Sequence, residues 1–380
     1  MQILISPNAF KNALDAAAVA RAIEKGLQQS SLQCTTTCFP IGDGGDGTGD
    51  LLTRSLNGNF INATVQDPLG RMINTHFGLI DNGETAVIEM AAASGLRLLA
   101  PGEYDPLHAS SYGTGELIKN ALDKNITKII LCVGGSATVD GGCGILQALG
   151  LRFLDTEGKE LTALPKELIH LSTIDTSRLD KRIHACECII LCDVANTLLG
   201  ENGAAKIFGP QKGASEKAVV QLESSLMQFN NIVLKEYGID MAGIKHGGAA
   251  GGTVAGLYAL FNAKPVNGIQ HFLDLTGFDQ ALEQADLLIT GEGGIDLQTL
   301  EGKAPYGVAV RAKKKNLPVI ALAGKTPAQP LPELDQWFDR VLNINEEDTD
   351  IVSAIAATAE NLTKTARRLG DELAAQKAIQ

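Results

Sequence analysis

Residues 132–144 read CVGGSATVDGGCG and follow the apolar, β-branched run KIIL at 128–131. Ile145, Leu146, Ala148 and Leu149 come next, so the stretch reads as a strand, a glycine-rich turn and the start of a helix. Such a junction leaves backbone N–H groups unpaired and directs the positive end of a helix dipole at its ligand, which suits an anion. Gly134, Gly135, Gly141 and Gly142 let the main chain come close to that ligand. Ser136 and Thr138, on either side of Ala137, add hydroxyl donors, and Asp140 adds a carboxylate able to hold a metal ion. A tight strand-to-helix turn with no ligand is the competing reading of the stretch taken alone.

Length and charge bound what this can mean. The 380 residues exceed the ~250 to 300 at which a single core splits, so two domains are expected. Hydrophobic residues at 44% with 20% charged describe an ordinary globular chain. The seven cysteines (34, 38, 132, 143, 186, 188 and 192) contain no C-x-x-C pair, and we expect buried free thiols in a reducing compartment. The start lacks a charged segment followed by an apolar core, and no apolar run reaches ~18 residues, so the expected location is cytoplasmic, away from membranes. A net charge of −12, with no Lys/Arg cluster interleaved with aromatics, argues against a nucleic-acid partner. An anionic small molecule would need local cations or a metal against that field.

Along the chain, 3–6 is a short strand, and Leu14, Ala18, Ala22, Ile23 and Leu27 then recur at helical spacing, with Asp15 as N-cap. Lys11, in the loop between, is a candidate phosphate or carboxylate contact, or a solvated lysine. The strand at 35–39 leads into GDGGDG at 42–47, which formally matches G-x-G-x-x-G. Its two aspartates would repel a pyrophosphate, so Asp43 and Asp46 read as magnesium or substrate-hydroxyl ligands. Short strand-like segments at 61–65, 73–80 and 85–90 suggest antiparallel hairpins and a boundary near 60. Residues 91–99 look helical, and Thr114 is expected to cap the next helix.

The apolar strand 189–192 delivers Asp193, with Asn196 three residues on; that carboxylate could accept a hydroxyl proton or bind magnesium. Lys212 lies in the turn 209–213. Gly251 and Gly252 close the run at 247–252, read either as a second anion-binding helix start or as close packing through small residues. A strand at 286–290 ends near Glu292 and Asp296. The strand at 319–323 ends in Gly324, Lys325 and Thr326, but Val319 in place of the first glycine and Pro327 after the threonine exclude a Walker A loop. After a last strand at 341–344, Val352, Ile355, Ala359, Leu362, Ala366, Leu369 and Leu373 form one apolar helical stripe, a docking face.

The fold class is therefore α/β in two domains. Strands near 3, 35, 286, 319 and 341 build a parallel Rossmann-like or flavodoxin-like domain from 1–60 plus 280–380, and 61–279 form an inserted mixed α/β domain. Glycine-rich loops in both place the expected active site in the cleft between them.

The blocks PIGDGGDGT (40–48), TAVIEMAAASGL (85–96), SSYGTGELI (110–118), GGSATVDGG (134–142), FGPQKGA (208–214), GGAAGG (247–252) and ITGEGGIDLQT (289–299) closely resemble the bacterial type of glycerate kinase, in that family's order. The resemblance implies ATP- and magnesium-dependent phosphorylation of D-glycerate to phosphoglycerate, with the 2-phosphate favoured, by two α/β domains that close on the substrates. On that basis the amides of Gly134, Gly135, Ser136, Ala137 and Thr138, with Gly251 and Gly252, would hold ATP. Asp43, Asp46 and Asp140 would hold magnesium, and Arg71, Asn196 and Lys212 would contact substrate. Asp193 would position or deprotonate the hydroxyl, Lys11 would neutralise charge, and Glu292 and Asp296 would line the same cleft. The implied partners are the small molecules alone, with a homodimer as the assembly to test. Three positions depart from the pattern: Ala195 for a second Asp, Thr197 for a Pro and Gly294 for an Arg. A binding protein with weak or lost turnover and a nicotinamide-dependent dehydrogenase are the competing functions.

Overall fold

The computed structural model describes residues 1–329, 331–346 and 349–377. It divides into two compact units, Met1–Asp43 with Ile269–Gln380, and Gly44–Gly268. In chain order the strands are β1 (Gln2–Pro7), β2 (Thr35–Cys38), β3 (Asn59–Gln66), β4 (Met72–Ile80), β5 (Thr85–Glu89), β6 (Lys128–Cys132), β7 (Arg152–Leu154), β8 (Thr173–Asp175), β9 (Glu187–Cys192), β10 (Lys264–Asn267), β11 (Leu287–Glu292), β12 (Val319–Ala323) and β13 (Arg340–Asn343).

The first unit carries a five-stranded sheet in the order β13-β12-β11-β1-β2, parallel at every pairing. Counted along this sheet alone the order is 2-1-3-4-5, the flavodoxin-like arrangement, so the order in which strands are added reverses between β1 and β11. Ligands in open α/β sheets bind beyond the carboxyl ends of strands at such a reversal. The strands Ile3, Ile5, Leu287, Ile289, Ile320 and Leu322 are buried on one core, as continuous apolar runs in parallel sheets require. Asp15 caps the helix Ala16–Gln28 as expected, accepting from Ala18 N at 2.6 Å. The helix Thr358–Lys377 lies against that helix through Leu362, Ala366 and Leu369, and Thr363 Oγ1 donates to Ala22 O. The expected stripe is docked only from there on. Val352 is 73% exposed, because a separate short helix, Ile351–Ala356, precedes the break at Ala357.

The second unit carries a six-stranded sheet, β10-β9-β6-β5-β4-β3. Strands β10, β9, β6 and β5 run parallel, and the hairpins β5-β4 and β4-β3 are antiparallel. The expected hairpins thus extend the parallel strands in one mixed sheet. The compact units divide at 43/44 and 268/269, where composition suggested 60/61 and 279/280. Helix Thr48–Ser55 packs on β4 and β5, and helix Gly268–Thr276 reaches the first unit, where Ile269 fills the space above Gly307.

Two local expectations give way to tertiary bonding. The segment 91–99 is a short turn, Ala91–Ser94, and a 3-10 turn, Leu96–Leu98, separated by an extended Gly95. Ala137 N donates to Ser94 O and Leu96 N to Gly135 O, so pairing with the glycine loop replaces helix continuation. Thr114 does not cap the helix Tyr112–Leu122. Ser111 precedes that helix, and Thr114 turns inward to Ser94 Oγ at 2.7 Å. Five of the seven cysteines are buried, and Cys34 and Cys38 are half-buried. Among the described residues no helix is long and apolar enough to cross a membrane.

Replacing Leu362, which is fully buried in the first unit, by Ala is expected to lower stability by about 2 to 5 kcal/mol. Urea unfolding with an unchanged slope and an earlier midpoint would show it.

Candidate active site

In the first unit the polar groups gather where β1 and β11 end. Asn8 follows β1, donates from its backbone to Gly291 O, and donates from Nδ2 to Asp43 Oδ2 at 2.9 Å. Asp43 is 7% exposed. Glu292 closes β11, is 8% exposed and accepts from Thr299 Oγ1 at 2.9 Å. Burial pushes its pKa up to about 7; Lys303, the Thr299 bond and Lys11 pull the other way, and the charge of Asp43 adds to the rise. Lys11 is exposed, and its backbone runs beside Gly293. Asp296 caps the turn Leu297–Glu301 by accepting from Gln298 N, and Lys303 Nζ is 3.9 Å away. Asp296, Gly294, Leu297, Lys325, Thr326 and Leu331 line a cleft of about 420 Å³.

In the second unit two glycine loops meet backbone to backbone. Gly134 N donates to Gly44 O at 2.9 Å, and a Cβ on Gly134 would stand 2.5 Å from Gly45 Cα. No side chain fits there. Asp46 borders Gly135 and lies 3.5 Å from Arg97 Nη1. Glu89, at the end of β5, accepts from Gly49 N at 2.7 Å in the first turn of helix Thr48–Ser55. It is 7% exposed, and burial pushes its pKa up to about 7, with the charge of Asp46 and then Asp50 adding to the rise.

Five further residues expected at the site also lie in the second unit. Asp140 is fully buried and accepts from Ser111 N, Ser111 Oγ, Gly142 N and Gly144 N at 2.6 to 3.1 Å. Oδ2 takes three of these bonds and Oδ1 one, so the carboxylate bonds the first turn of the helix Cys143–Ala148 and the helix dipole there meets an internal carboxylate. Gly251 and Gly252 pack on the loop instead of facing a ligand: Gly141 N donates to Gly251 O, and a Cβ on Gly251 would stand 2.5 Å from Val139 Cα. Lys212 is buried beneath residues 136–138, with Nζ donating to Ser136 Oγ at 2.9 Å and Thr138 O at 2.7 Å, so its reach toward a substrate is blocked. Burial drives its pKa down to about 7 against the opposing charge of Asp140. Arg71 is exposed and spends its guanidinium on Asp67 and Glu103, closing the β3-β4 turn.

Asp193 follows β9 and is half-buried. Its loop rests on the 246–248 segment, where Gly248 N donates to Asn196 O and His246 Nδ1 lies 2.7 Å from Val194 O. Asn196 Nδ2 donates to Asn202 O, bracing that loop. Lys245 and Asp193 both act on the buried Cys192 thiol, which burial pushes up to about 12. Sequence reasoning passed over Asn8, Glu89, Thr299 and Lys245. A lone glutamate in the apolar run TAVIEMAAA was the available signal for Glu89; nothing marked the others.

A family model described as the glycerate kinase family matches residues 3–374. The chain belongs to that family. It is a kinase. It is 39% identical over 374 residues to glycerate 2-kinase of Escherichia coli (strain K12), covering 98% of each chain. To the glycerate kinase of Haemophilus influenzae it is 42% identical over 374 residues, covering 98% of this chain and 99% of the relative. A crystal structure from Salmonella typhimurium LT2, of a protein assigned as a glycerate kinase 2, superposes with a TM-score of 0.82 at 40% identity, covering 100% of this chain and 99% of that one.

Oxygen donors fit a hard divalent cation; burial, with the charge of Asp46 adding to it, raises the Glu89 pKa, and a cation at these carboxylates would oppose that rise. Among the described residues no three His, Cys, Asp or Glu side chains converge on one metal position. A magnesium ion that travels with a nucleotide needs only one or two protein carboxylates.

The Glu89 carboxyl holds its proton more tightly folded than unfolded. Its contribution to stability is therefore present below pH 4.5 and is lost as pH rises through about 7. Glu89→Gln, which carries no charge, is expected to be more stable than the native chain at pH 8 in EDTA, by about 3 kcal/mol at most. The gap should close by pH 4.5, and thermal unfolding at the two pH values measures it.

Proposed function

We propose that the protein transfers the γ-phosphate of ATP to a hydroxyl of D-glycerate, giving 2-phosphoglycerate, with magnesium as the companion ion. The observation that carries this reading is the backbone-to-backbone pairing of the Gly44 and Gly134 loops beside buried acids, in a family member that matches a glycerate 2-kinase along nearly its whole length. The 2-position is carried over from that relative's name.

In this reading the amides of Gly135, Ser136 and Thr138, with the hydroxyls of Ser136 and Thr138, take the phosphates, while Gly134 N and Ala137 N stay on Gly44 O and Ser94 O. Thr138 Oγ1 is buried and lacks a hydrogen-bond partner, as a hydroxyl reserved for a ligand would be. Asp46 and Glu89 hold magnesium, which when bound offsets the charge of the phosphate chain. Asp43, fixed by Asn8, belongs to the first unit, as do Lys11 and Glu292. Glu292 is the better proton acceptor for the glycerate hydroxyl, because a base with a pKa near 7 is half-deprotonated at neutral pH. Asp193 orients the acid. The remainder of the rate enhancement comes from alignment and charge stabilisation, which is what phosphoryl transfer demands.

ADP release is expected to depend on D-glycerate, and phosphorus NMR of the product should place the phosphate on carbon 2. Glu292→Gln should lower kcat by about 10²-fold or more with little change in the KM for glycerate. Binding of ATP and glycerate without ADP release would replace this reading by that of a sensor, and a carbon-3 phosphate would correct the product alone.

A further inference from the structure

Among the described residues Lys212 is the only cationic side chain that is buried, at 4% exposure. Its place is fixed from below by the turn 209–213, in which Lys212 N and Ala214 N both donate to Gly209 O and Gly213 N donates to Pro210 O. The loop above it is pinned at its edges by backbone bonds: Gly134 N to Gly44 O, Ala137 N to Ser94 O, Leu96 N to Gly135 O, and Gly141 N to Gly251 O. Within 136–138 the side-chain tie is the lysine amine, on Ser136 Oγ and Thr138 O. In that bond Lys212 Nζ donates and Ser136 Oγ accepts. Its own proton is then left to point elsewhere.

We propose that Lys212 is a positioning residue that sets the Ser136 hydroxyl as a donor toward a nucleotide phosphate, acting through the loop and never touching the nucleotide. This rests on the reading of residues 134–138 as the phosphate loop. The amine ties Ser136 Oγ to Thr138 O, and by occupying Ser136 Oγ as an acceptor it turns the Ser136 proton away from itself. An exposed lysine at the phosphates would supply charge; this one supplies geometry.

The test uses the full chain with Lys212→Met, which matches the stem and removes the donor, with Ser136→Ala, and with the double variant. Titration with a fluorescent methylanthraniloyl-ATP and steady-state kinetics with ATP and D-glycerate are read together with amide hydrogen exchange over 134–138. Lys212→Met is expected to weaken nucleotide binding and raise the KM for ATP about tenfold or more, with the KM for glycerate within about twofold. Ser136→Ala should reproduce most of that loss, and the double variant should be no worse than Lys212→Met, the signature of two residues acting as one unit. Exchange at 134–138 should quicken in Lys212→Met and stay unchanged across the β3-β4 hairpin. Additive losses, or a glycerate KM that rises while the ATP KM stays put, would overturn the proposal. Should Lys212→Met fail to fold, Ser136→Ala decides: nucleotide affinity equal to the native chain's overturns it as well. A native chain that binds the nucleotide and never turns over glycerate would sink the proposed reaction, and the binding and exchange measurements would still judge Lys212.

Discussion

The second unit depends on main chain meeting main chain without side chains between. At Gly134 the approach to Gly45 leaves no room for even a methyl group, and at Gly251 the same holds against Val139. These contacts let three loops from distant parts of the sequence, near 44, 134 and 251, pack as one layer above the carboxyl ends of parallel strands. A methyl at either place would drive the loops apart by more than a side chain rotamer can absorb, because the clashing atoms are backbone. The polar fittings, Asp140, Lys212 and Glu89, then act on a layer whose spacing the glycines have already set.

That layer deals with charge in an economical way. Helix starts are commonly left open to anions, yet here Glu89 bonds the first turn of Thr48–Ser55 and Asp140 bonds the first turn of Cys143–Ala148. Each internal carboxylate satisfies amides that would otherwise be orphaned in an interior. The consequence is that neither of these two helix starts is left open to an anion. Amides and hydroxyls in the loops are directional over a shorter range than a macrodipole, so their orientation matters more than their number.

The fold was legible because its strands are short apolar runs whose ends carry glycine or aspartate. The five strands of the flavodoxin-like sheet, near 3, 35, 286, 319 and 341, follow from that pattern alone, and so do the hairpins between 59 and 90. The helical reading of 91–99 failed because periodicity cannot see that Gly135 and Ala137 will bond the segment from across the sheet. The site was legible as loops and illegible as atoms. Sequence shows that Asp140 and Lys212 stand in glycine-rich turns; it does not show that Ser111 bonds the one and Ser136 the other. Glu89 sits in an apolar run and looks like an error in a strand until Gly49 is seen against it.

The motif GDGGDG at 42–47 occupies a special place in the chain, because the two compact units divide inside it, between Asp43 and Gly44. Asp43 is bonded to Asn8 at the end of β1, and Gly44 is bonded to Gly134 at the end of β6. Adjacent residues are thus anchored to different sheets, with no slack segment between the anchors. A linker would ordinarily be long, polar and tolerant of insertion. This one is a single peptide bond flanked by two functional candidates, so the aspartate spacing belongs to both units at once. Of the three glycines that a dinucleotide-binding reading would use, Gly44 is committed to the Gly134 loop, while a Cβ at Gly47 would meet nothing within 4 Å. A bare G-x-G-x-x-G match says nothing of the kind, because the same glycines can face a ligand or face another loop, and only the packing tells which.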